Sequence, residues 1–318
     1  MAPELRVVSL DLAFDDAQQA IVDAMTQFCR DRCPDSVIKD STGKFPERLW
    51  RELADLGVLA LVTPEGEGGA MEMTAALEGL GAAVFPGPLV ASFFATQFLG
   101  EGDRRAVSRG EAVVSVGAPP LMPWAPSAHL FLAIEDGRVW KGAPRGGIDP
   151  VDTLGGEPWG RVDLEPVENL GPAERGLPVY DTALAAYLAA AGRRLIEDTA
   201  EHARTRKQFG KAIGEFQAVA HPLADGFMRL AAAGTLARCA ATRIDAGEAD
   251  AGVTAAAARL SATRAAVEAA HTCHQLFGAI GITLEGPVFH VSRRIRQLAS
   301  QPPGDRVARD TVLSGFGL

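Results

Sequence analysis

The C-terminal half of the chain, from Tyr180 onward, consists of long alanine-rich segments in which apolar residues recur at helical spacing. Such helices bury their apolar stripes against one another, and short connections make neighbouring helices antiparallel. Alanine at the contacts allows the helices to approach closely. We therefore predict a helical bundle of four long helices, followed by a shorter helix after Pro303. The four predicted helices span Thr182–Thr205, Glu215–Ala246, Gly252–Phe277 and Gly286–Ala299.

The connection between the first two of these helices carries the sequence RTRKQFGKAIGEFQAVAHPLAD, residues 204–225. One helix is predicted to end near Arg206, residues 208–210 to form a turn, and the next helix to begin near Glu215. Gly210 is predicted to be the glycine that follows a helix C-terminus. An arginine and an exposed phenylalanine at a helix corner suit an anion that carries an aromatic ring, such as a nucleotide. A basic corner packed on a neighbour is the alternative explanation.

The sequence pattern changes at Gly110, where short candidate strands begin to alternate with clusters of proline and glycine. The sequence Glu135-Asp136-Gly137 is typical of a tight hairpin turn. This part of the chain therefore predicts a small antiparallel β domain. Its candidate strands are Val113–Val116, Leu130–Ile134, Arg138–Lys141 and Arg161–Leu164.

The first 109 residues predict a further group of helices, after a short arm at residues 1–10. The segment Val58–Gly69 is predicted to be a loop, because Pro64 and several glycines interrupt its apolar run. The predicted helices are Asp15–Arg32, a helix that starts at Phe45-Pro46 and stops at Gly57, Met71–Phe85 and Leu89–Leu99.

Composition excludes several classes of protein. The formal net charge of −9 argues against a nucleic-acid binder, which needs a basic face. The four cysteines form neither a C-x-x-C motif nor a cluster with histidine, so we expect reduced thiols and no metal site. No signal-peptide pattern and no run long enough to span a membrane is present, which predicts a soluble cytoplasmic protein.

Three motifs give the chain a resemblance to a known family. R-x-Q-F-G followed by F-Q-x-V-x-H-x-x-A-D, at residues 206–225, resembles the signature of the acyl-CoA dehydrogenase family. A second family element, Q-x-x-G-G-x-G, is similar to residues 275–281, where Ala279 replaces one glycine. The loop Pro64–Gly69 resembles the family's P-E-x-x-G-G loop. The resemblance implies a mostly α fold with an N-terminal helical domain (residues 1–109), a shortened middle β domain (110–178) and a C-terminal four-helix bundle (179–318).

The resemblance also implies FAD as the cofactor. In proteins of this kind the arginine of R-x-Q-F-G contacts the FAD pyrophosphate and the phenylalanine lies against the cofactor, which implies roles for Arg206 and Phe209, with Gln208 nearby. Gln275 and Gly278 are implied to contact the adenosine half. In the family these elements reach across a subunit interface and hold a flavin whose ring lies mainly in the partner.

The carboxylate base that the family uses to abstract the α proton is missing from its expected places. In the loop before the final helix, prolines occupy those positions and Asp305 is the acidic residue. On the helix before the Q-x-x-G-G element, the expected position falls on Arg264, which cannot act as a base, and Glu268 lies one turn away. Glu285, in a G-x-T-x-E pattern, is a fallback base, although it could instead cap a helix or pair with an arginine.

The flavin-ring segment of the family, W-I-T, has no match either, since Trp124 and Trp140 lie in other contexts. With these residues missing, the chain resembles the partner subunit of the heteromeric acyl-CoA dehydrogenases that act in bacterial steroid side-chain breakdown. We expect the complex with a homologous sister subunit to desaturate an acyl-CoA, such as a steroid side-chain CoA ester, and to pass electrons to an electron-transfer flavoprotein. The alternatives are an active homomeric flavoenzyme with a relocated carboxylate base and a non-enzymatic scaffold of the same fold.

Overall fold

Six helices begin the computed structural model, which describes residues 12–318, so that the arm predicted for residues 1–10 lies outside the described residues. The first helix starts at a capping box, in which the Asp15 carboxylate accepts the Gln18 N–H at 2.8 Å. Trp50, Leu53 and Phe85 are fully buried between the helices. The six helices are α1 (Asp16–Arg32), α2 (Asp35–Asp40), α3 (Glu47–Asp55), α4 (Ala70–Ala82), α5 (Leu89–Thr96) and α6 (Glu101–Ser108).

Seven short strands follow and form two small sheets. The four-stranded sheet has the order β1-β3-β4-β7, and the three-stranded sheet has the order β2-β6-β5. Strands β1 and β3 pair in parallel, and the other pairs of these two sheets are antiparallel. The strands are β1 (Val114–Gly117), β2 (Leu121–Pro123), β3 (Leu130–Glu135), β4 (Arg138–Pro144), β5 (Asp149–Val151), β6 (Trp159–Arg161) and β7 (Leu164–Pro172).

The hairpin predicted between β3 and β4 is confirmed, because Glu135 pairs with Arg138 across the left-handed residues Asp136 and Gly137. The single strand predicted at Arg161–Leu164 is wrong. The chain leaves β6 at Arg161, crosses between the sheets, and enters β7 at Leu164. Apolar and polar residues alternate without interruption across this crossing, so the sequence pattern does not reveal it.

The rest of the chain forms the predicted helical bundle. Its elements are α7 (Leu177–Thr205), β8 (Lys207–Gln208), β9 (Lys211–Ala212), α8 (Gln217–Asp245), α9 (Ala251–Phe277), α10 (Pro287–Ala299) and α11 (Gly304–Gly315). Small side chains fill the contacts between helices, since Ala186, Ala237 and Ala266 are fully buried. Among residues 12–318 no helix is both long and apolar enough to cross a membrane.

Several polar side chains join the bundle to the N-terminal helices, among them Tyr187 and Asp245. The Tyr187 hydroxyl, on α7, donates to the carbonyl of Phe85 at 2.9 Å. The Asp245 carboxylate, at the end of α8, accepts the N–H groups of Ala70 and Met71 at 2.7 and 3.0 Å. Asp245 therefore caps α4, whose first N–H groups have no partner within the helix.

The bundle has two ends of different character. At one end, α7 and α9 finish side by side, and the rings of His202 and Phe277 stack with their centroids 4.2 Å apart. We call this the hairpin end, because β8 and β9 lie there. At the other end, α7 begins beside residues 299–305, which connect α10 with α11 and which we call the proline loop.

Candidate functional site

The connection predicted as a turn is a β-hairpin at the hairpin end. Strands β8 and β9 are joined by Phe209 and Gly210, whose φ angles of 52° and 80° are both left-handed. Two left-handed residues are the signature of a type I′ turn. Gly210 therefore serves the hairpin, and its prediction as the glycine after α7 is wrong. Helix α7 ends at Thr205, close to the predicted end, and the Arg206 that follows it has a φ of −73°.

Phe209 is both strained and exposed. A side chain in the left-handed region costs roughly 1–2 kcal/mol, and glycine avoids that cost. The Phe209 side chain is nevertheless 90% exposed, and its ring meets the edge of the Phe216 ring at 6.2 Å. Backbone strain at an exposed aromatic is typical of a contact made with a ligand or a partner.

Arg206, three residues before Phe209, adds a cation to the same segment. Its carbonyl accepts the Ile213 N–H at 2.8 Å, which fixes the backbone. Its guanidinium is exposed, and no carboxylate within residues 12–318 pairs with it. The Gln208 side chain lies beside it and donates to the Lys207 carbonyl at 2.8 Å. The hairpin thus offers an uncompensated positive charge and an amide to the exterior.

The second predicted element lies at the same end of the bundle. Helix α9 finishes at Phe277, and the following Gly278 is left-handed at φ 63°. A Cβ built on Gly278 would meet nothing within 4 Å, so a ligand can approach its backbone closely. Gln275 is exposed on the last turn of α9. A cation, an amide, an open glycine backbone and an exposed ring together fit the diphosphate end of a dinucleotide.

The three candidate bases do not share a site. Glu268 bonds Arg264 at 2.9 Å and also pairs with Arg229, and the hydrogen bond from Arg264 lowers the pKa of this carboxylate. Asp305 faces the buried guanidinium of Arg259 at 3.3 Å. Glu285 is exposed and makes neither the helix cap nor an ion pair with any described residue.

The proline loop is fastened from several sides. The Tyr180 hydroxyl donates to the Pro302 carbonyl at 2.8 Å, and Arg259 donates to the Gln301 carbonyl at 3.3 Å. Arg259 also bonds the Asp181 carboxylate at 2.9 Å, and both side chains are buried. Burial raises the pKa of Asp181. The loop that carries the base in the resembling family is therefore held here by structural contacts.

A second buried ion pair joins the sheets to the bundle. Glu157, between β5 and β6, pairs with Arg294 of α10 and accepts from the Gln301 amide at 2.6 Å. Arg294 also donates to the Gly87 carbonyl at 3.0 Å and lies beside the ring of the buried Trp124. The sequence reasoning did not anticipate these pairs, although a charge in an alanine-rich stretch, such as Arg259, was an available signal.

Comparison with known proteins agrees with this architecture. Family models for the N-terminal and C-terminal domains of acyl-CoA dehydrogenases match residues 15–99 and 173–301. The chain is 33% identical over 256 residues to the acyl-CoA dehydrogenase IpdE2 of Mycobacterium tuberculosis, a match that covers 76% of this chain and 78% of that relative. It is 26% identical over 307 residues to FadE27 of the same organism, with coverages of 77% and 81%.

Three solved structures are similar over nearly their whole length. The ChsE4-ChsE5 complex from Mycobacterium tuberculosis matches with a TM-score of 0.82 and 22% identity, covering 97% of this chain and 99% of that chain. A variant of the Tcur3481-Tcur3483 steroid ACAD gives 0.82 and 23%, with coverages of 95% and 99%. A glutaryl-CoA dehydrogenase from Mycobacterium smegmatis in complex with FADH2 gives 0.82 and 17%, with coverages of 96% and 96%.

These likenesses confirm the predicted fold, which is mostly helical with a small β region. The glutaryl-CoA dehydrogenase carries a reduced flavin, which supports FAD as the cofactor of proteins with this fold. The two family models and the extent of the match to IpdE2 establish the relationship. The chain belongs to the acyl-CoA dehydrogenase family.

Proposed function

We propose that this chain is a subunit of a flavin-dependent acyl-CoA dehydrogenase, that it lends part of the FAD site to a homologous sister subunit, and that it carries no catalytic base of its own. One observation carries the proposal. The hairpin end is open and cationic, whereas the contact between the sheets and the proline loop is filled by buried side chains. The domain division at residues 1–109, 110–178 and 179–318 is part of the proposal.

The hairpin end supplies the residues that would hold the cofactor. Arg206 would neutralise charge on the diphosphate, and the amides of Gln208 and Gln275 would donate hydrogen bonds to it. Gly278 would let the backbone approach, and Phe209 would cover an apolar face and exclude water. When bound, FAD accepts the hydride that leaves the β carbon of an acyl thioester.

The chain's own cleft between the sheets and the bundle offers little room for a flavin ring. Glu157 and Arg294 meet there, and both side chains are buried. A Cβ built on Gly155 would lie 2.0 Å from the amide oxygen of Gln297, so the loop rests directly on α10. This packing supports a role in which the ring is housed by another polypeptide.

The environments of the carboxylates favour a non-catalytic chain over the homomeric alternative. A general base must accept a proton, and the lowered pKa of Glu268 opposes that role. Asp305 neutralises Arg259, and its loss would leave a buried cation less compensated. Glu285 is exposed but lies at the hairpin end, away from the proline loop, which is one of the two places where the family carries its base.

The nature of the relatives supports the substrate and the partner. Two of the similar structures carry paired names, ChsE4-ChsE5 and Tcur3481-Tcur3483, and the second is called a steroid ACAD. We therefore propose a homologous sister chain, an acyl-CoA substrate such as a steroid side-chain CoA ester, and an electron-transfer flavoprotein as the electron acceptor.

Co-expression with a homologous sister chain tests the proposal. The lone chain is expected to purify without visible flavin absorption, and the complex is expected to be yellow and to oxidise an acyl-CoA. A lone chain that purifies with stoichiometric FAD and turns over an acyl-CoA would overturn the proposal in favour of the homomeric enzyme. A colourless complex would favour the non-enzymatic scaffold.

A further inference from the structure

A groove of about 510 Å³ lies between α9 and α10 near the hairpin end. Gln275 and Gly278, which we propose to contact FAD, form part of its wall. Its other lining residues are His271, His274, Ile282 and Arg296. None of these four belongs to either family motif, so the motifs assign them no function.

The two helices are held together so that Arg296 faces α9. The ring Nε2 of His274 lies 2.7 Å from the hydroxyl of Ser292, which joins α9 to α10. Because the helices are antiparallel, a residue one turn further along α10 lies level with a residue one turn earlier on α9. Arg296 therefore lies level with His271, on the opposite wall of the groove.

The groove walls carry only neutral or positive groups. Arg296 and His271 are exposed, and no carboxylate within the described chain pairs with Arg296. Burial lowers the pKa of His274, and the neighbouring Arg296 and His271 act in the same direction. No lining residue is acidic. An uncompensated arginine that lines the same groove as an amide and an open glycine backbone suits a phosphate.

We propose that Arg296 is an anion-binding residue of this groove and binds a phosphate of the cofactor's diphosphate, opposite His271. The inference rests on the proposed function, because it assigns the same cofactor to this end of the bundle. It adds a helix, α10, that neither sequence motif includes. A free phosphate has the same chemistry, so the test must separate a diphosphate linked to adenosine from phosphate alone.

The test uses the complex of the full chain with its sister chain, stripped of flavin and titrated with FAD. Arg296→Ala is expected to raise the dissociation constant of FAD about ten- to a hundredfold, because a hydrogen bond to a charged group is lost. Arg296→Lys retains the positive charge, and its dissociation constant for FAD is expected to lie between those of the unsubstituted complex and Arg296→Ala. Arg306→Ala removes an exposed arginine of α11 outside the groove and is expected to leave FAD binding unchanged.

Arg206→Ala separates failure of the inference from failure of the proposed function. If Arg206→Ala weakens FAD binding and Arg296→Ala does not, the role of Arg296 is refuted and the proposed function stands. If neither substitution weakens binding, both are refuted. If Arg296→Ala unfolds the chain at the temperature of the FAD titration, the loss of FAD binding would follow from unfolding; Arg296 would then have a structural role, and the inference would be overturned.

Competition identifies the ligand group. ADP is expected to displace FAD from the unsubstituted complex more effectively than adenosine or inorganic phosphate, and this advantage is expected to become smaller in Arg296→Ala, where Arg206 remains. Equal competition by adenosine and ADP would show that the groove does not bind phosphate. Equal competition by inorganic phosphate and ADP would reduce it to a general anion site.

Discussion

The two ends of the helical bundle are built from similar residues and differ in what those residues contact. At the hairpin end, Arg206 faces outward. Arg296 is exposed on the last turn of α10, in the groove between α9 and α10, and no described carboxylate neutralises either arginine. At the proline-loop end, Arg259 and Arg294 are buried and paired with Asp181 and Glu157. One end is therefore prepared for an external anion, and the other has satisfied its charges internally.

Under the proposed function, this difference would allow one fold to keep a cofactor contact and lose a catalytic site. A buried charge that loses its partner destabilises the fold strongly, because an unpaired ion in the interior is costly. The internal ion pairs therefore make the proline-loop end a rigid joint. Exposed charges cost little and remain free to bind. Substitutions at the two ends should consequently affect different properties, stability at one end and cofactor binding at the other.

The largest expected effect comes from breaking the Glu157–Arg294 pair. Glu157→Ala leaves Arg294 buried without its counterion and is expected to lower the free energy of unfolding by about 3–5 kcal/mol. Urea unfolding measures the change. Arg264→Ala, at a highly exposed position, is the matched control and is expected to have almost no effect. Similar small losses from both substitutions would contradict the claim that this end is a structural joint.

At the hairpin end, Arg206→Ala is expected to weaken FAD binding to the complex by about 1.5–3 kcal/mol, since a hydrogen bond to a charged group is lost. The folded chain should be as stable as before, because the guanidinium makes no internal ion pair in the described structure. Flavin titration and urea unfolding of the same preparation measure both quantities. A loss of stability without a loss of flavin would reverse the assignment of the two ends.

Phe209→Gly sharpens the comparison because stability and binding should change in opposite directions. Glycine relieves the left-handed strain, which is expected to stabilise the chain by about 1 kcal/mol, while the exposed ring is lost to the cofactor. The measurements are the melting temperature of the lone chain and the flavin retained by the complex. If both fall, Phe209 contributes to the fold, and the strain has no functional meaning.

A pH titration probes the histidines around α9 and α10. Burial lowers the pKa of His202, His274 and His290 below the ordinary value of 6.5. The unfolded chain then binds protons more readily, so stability is present above the unfolded pKa and is lost as the pH falls through the folded pKa. We expect unfolding free energies to fall below about pH 6.5. His202→Phe keeps an aromatic ring against Phe277 and should make that decrease smaller. An unchanged decrease would show that His202 does not contribute to the pH dependence.

The smallest expected effect is that of Glu285→Gln on turnover by the complex. An exposed residue at the hairpin end has no role in proton abstraction under this account, so the rate of acyl-CoA oxidation should not change. Steady-state turnover compared with that of the unsubstituted complex is the measurement. A loss of about a hundredfold or more, the usual contribution of a general base, would restore the alternative of an active enzyme with a relocated base.

Much of the fold could be predicted because its signals are local. Alanine-rich apolar periodicity places α7 to α10 within a few residues of their observed bounds, and Asp136-Gly137 specifies its own turn. The short helices α2 and α6 were missed because they are mostly polar and bury no residue and one residue, respectively, which leaves no apolar stripe to detect; α5, as short as α6, is apolar and was predicted. A glycine that ends a helix and one that closes a two-residue hairpin look alike in sequence, which explains the error at Gly210.

The sequence motifs selected residues that lie together in the fold, but not the residues that surround them. The motif residues Arg206 and Gln275 lie at one end of the bundle, and their contact with a cofactor stays a prediction. The pairing of Glu157 with Arg294 joins residues that are distant in the chain and belong to different layers, so no local pattern predicts it. Arg296 was missed for a related reason, since its relevance depends on the packing of α10 against α9.

The ratio of flavin to polypeptide in the purified complex tests the central claim most directly. If this chain houses no flavin ring of its own and only completes the site of its sister, the complex should contain one FAD for every pair of unlike chains. Protein quantitation and the flavin absorption of the released cofactor give this ratio. One FAD for every single chain would show that the cleft beside Glu157 and Arg294 also holds a flavin, and would contradict the account.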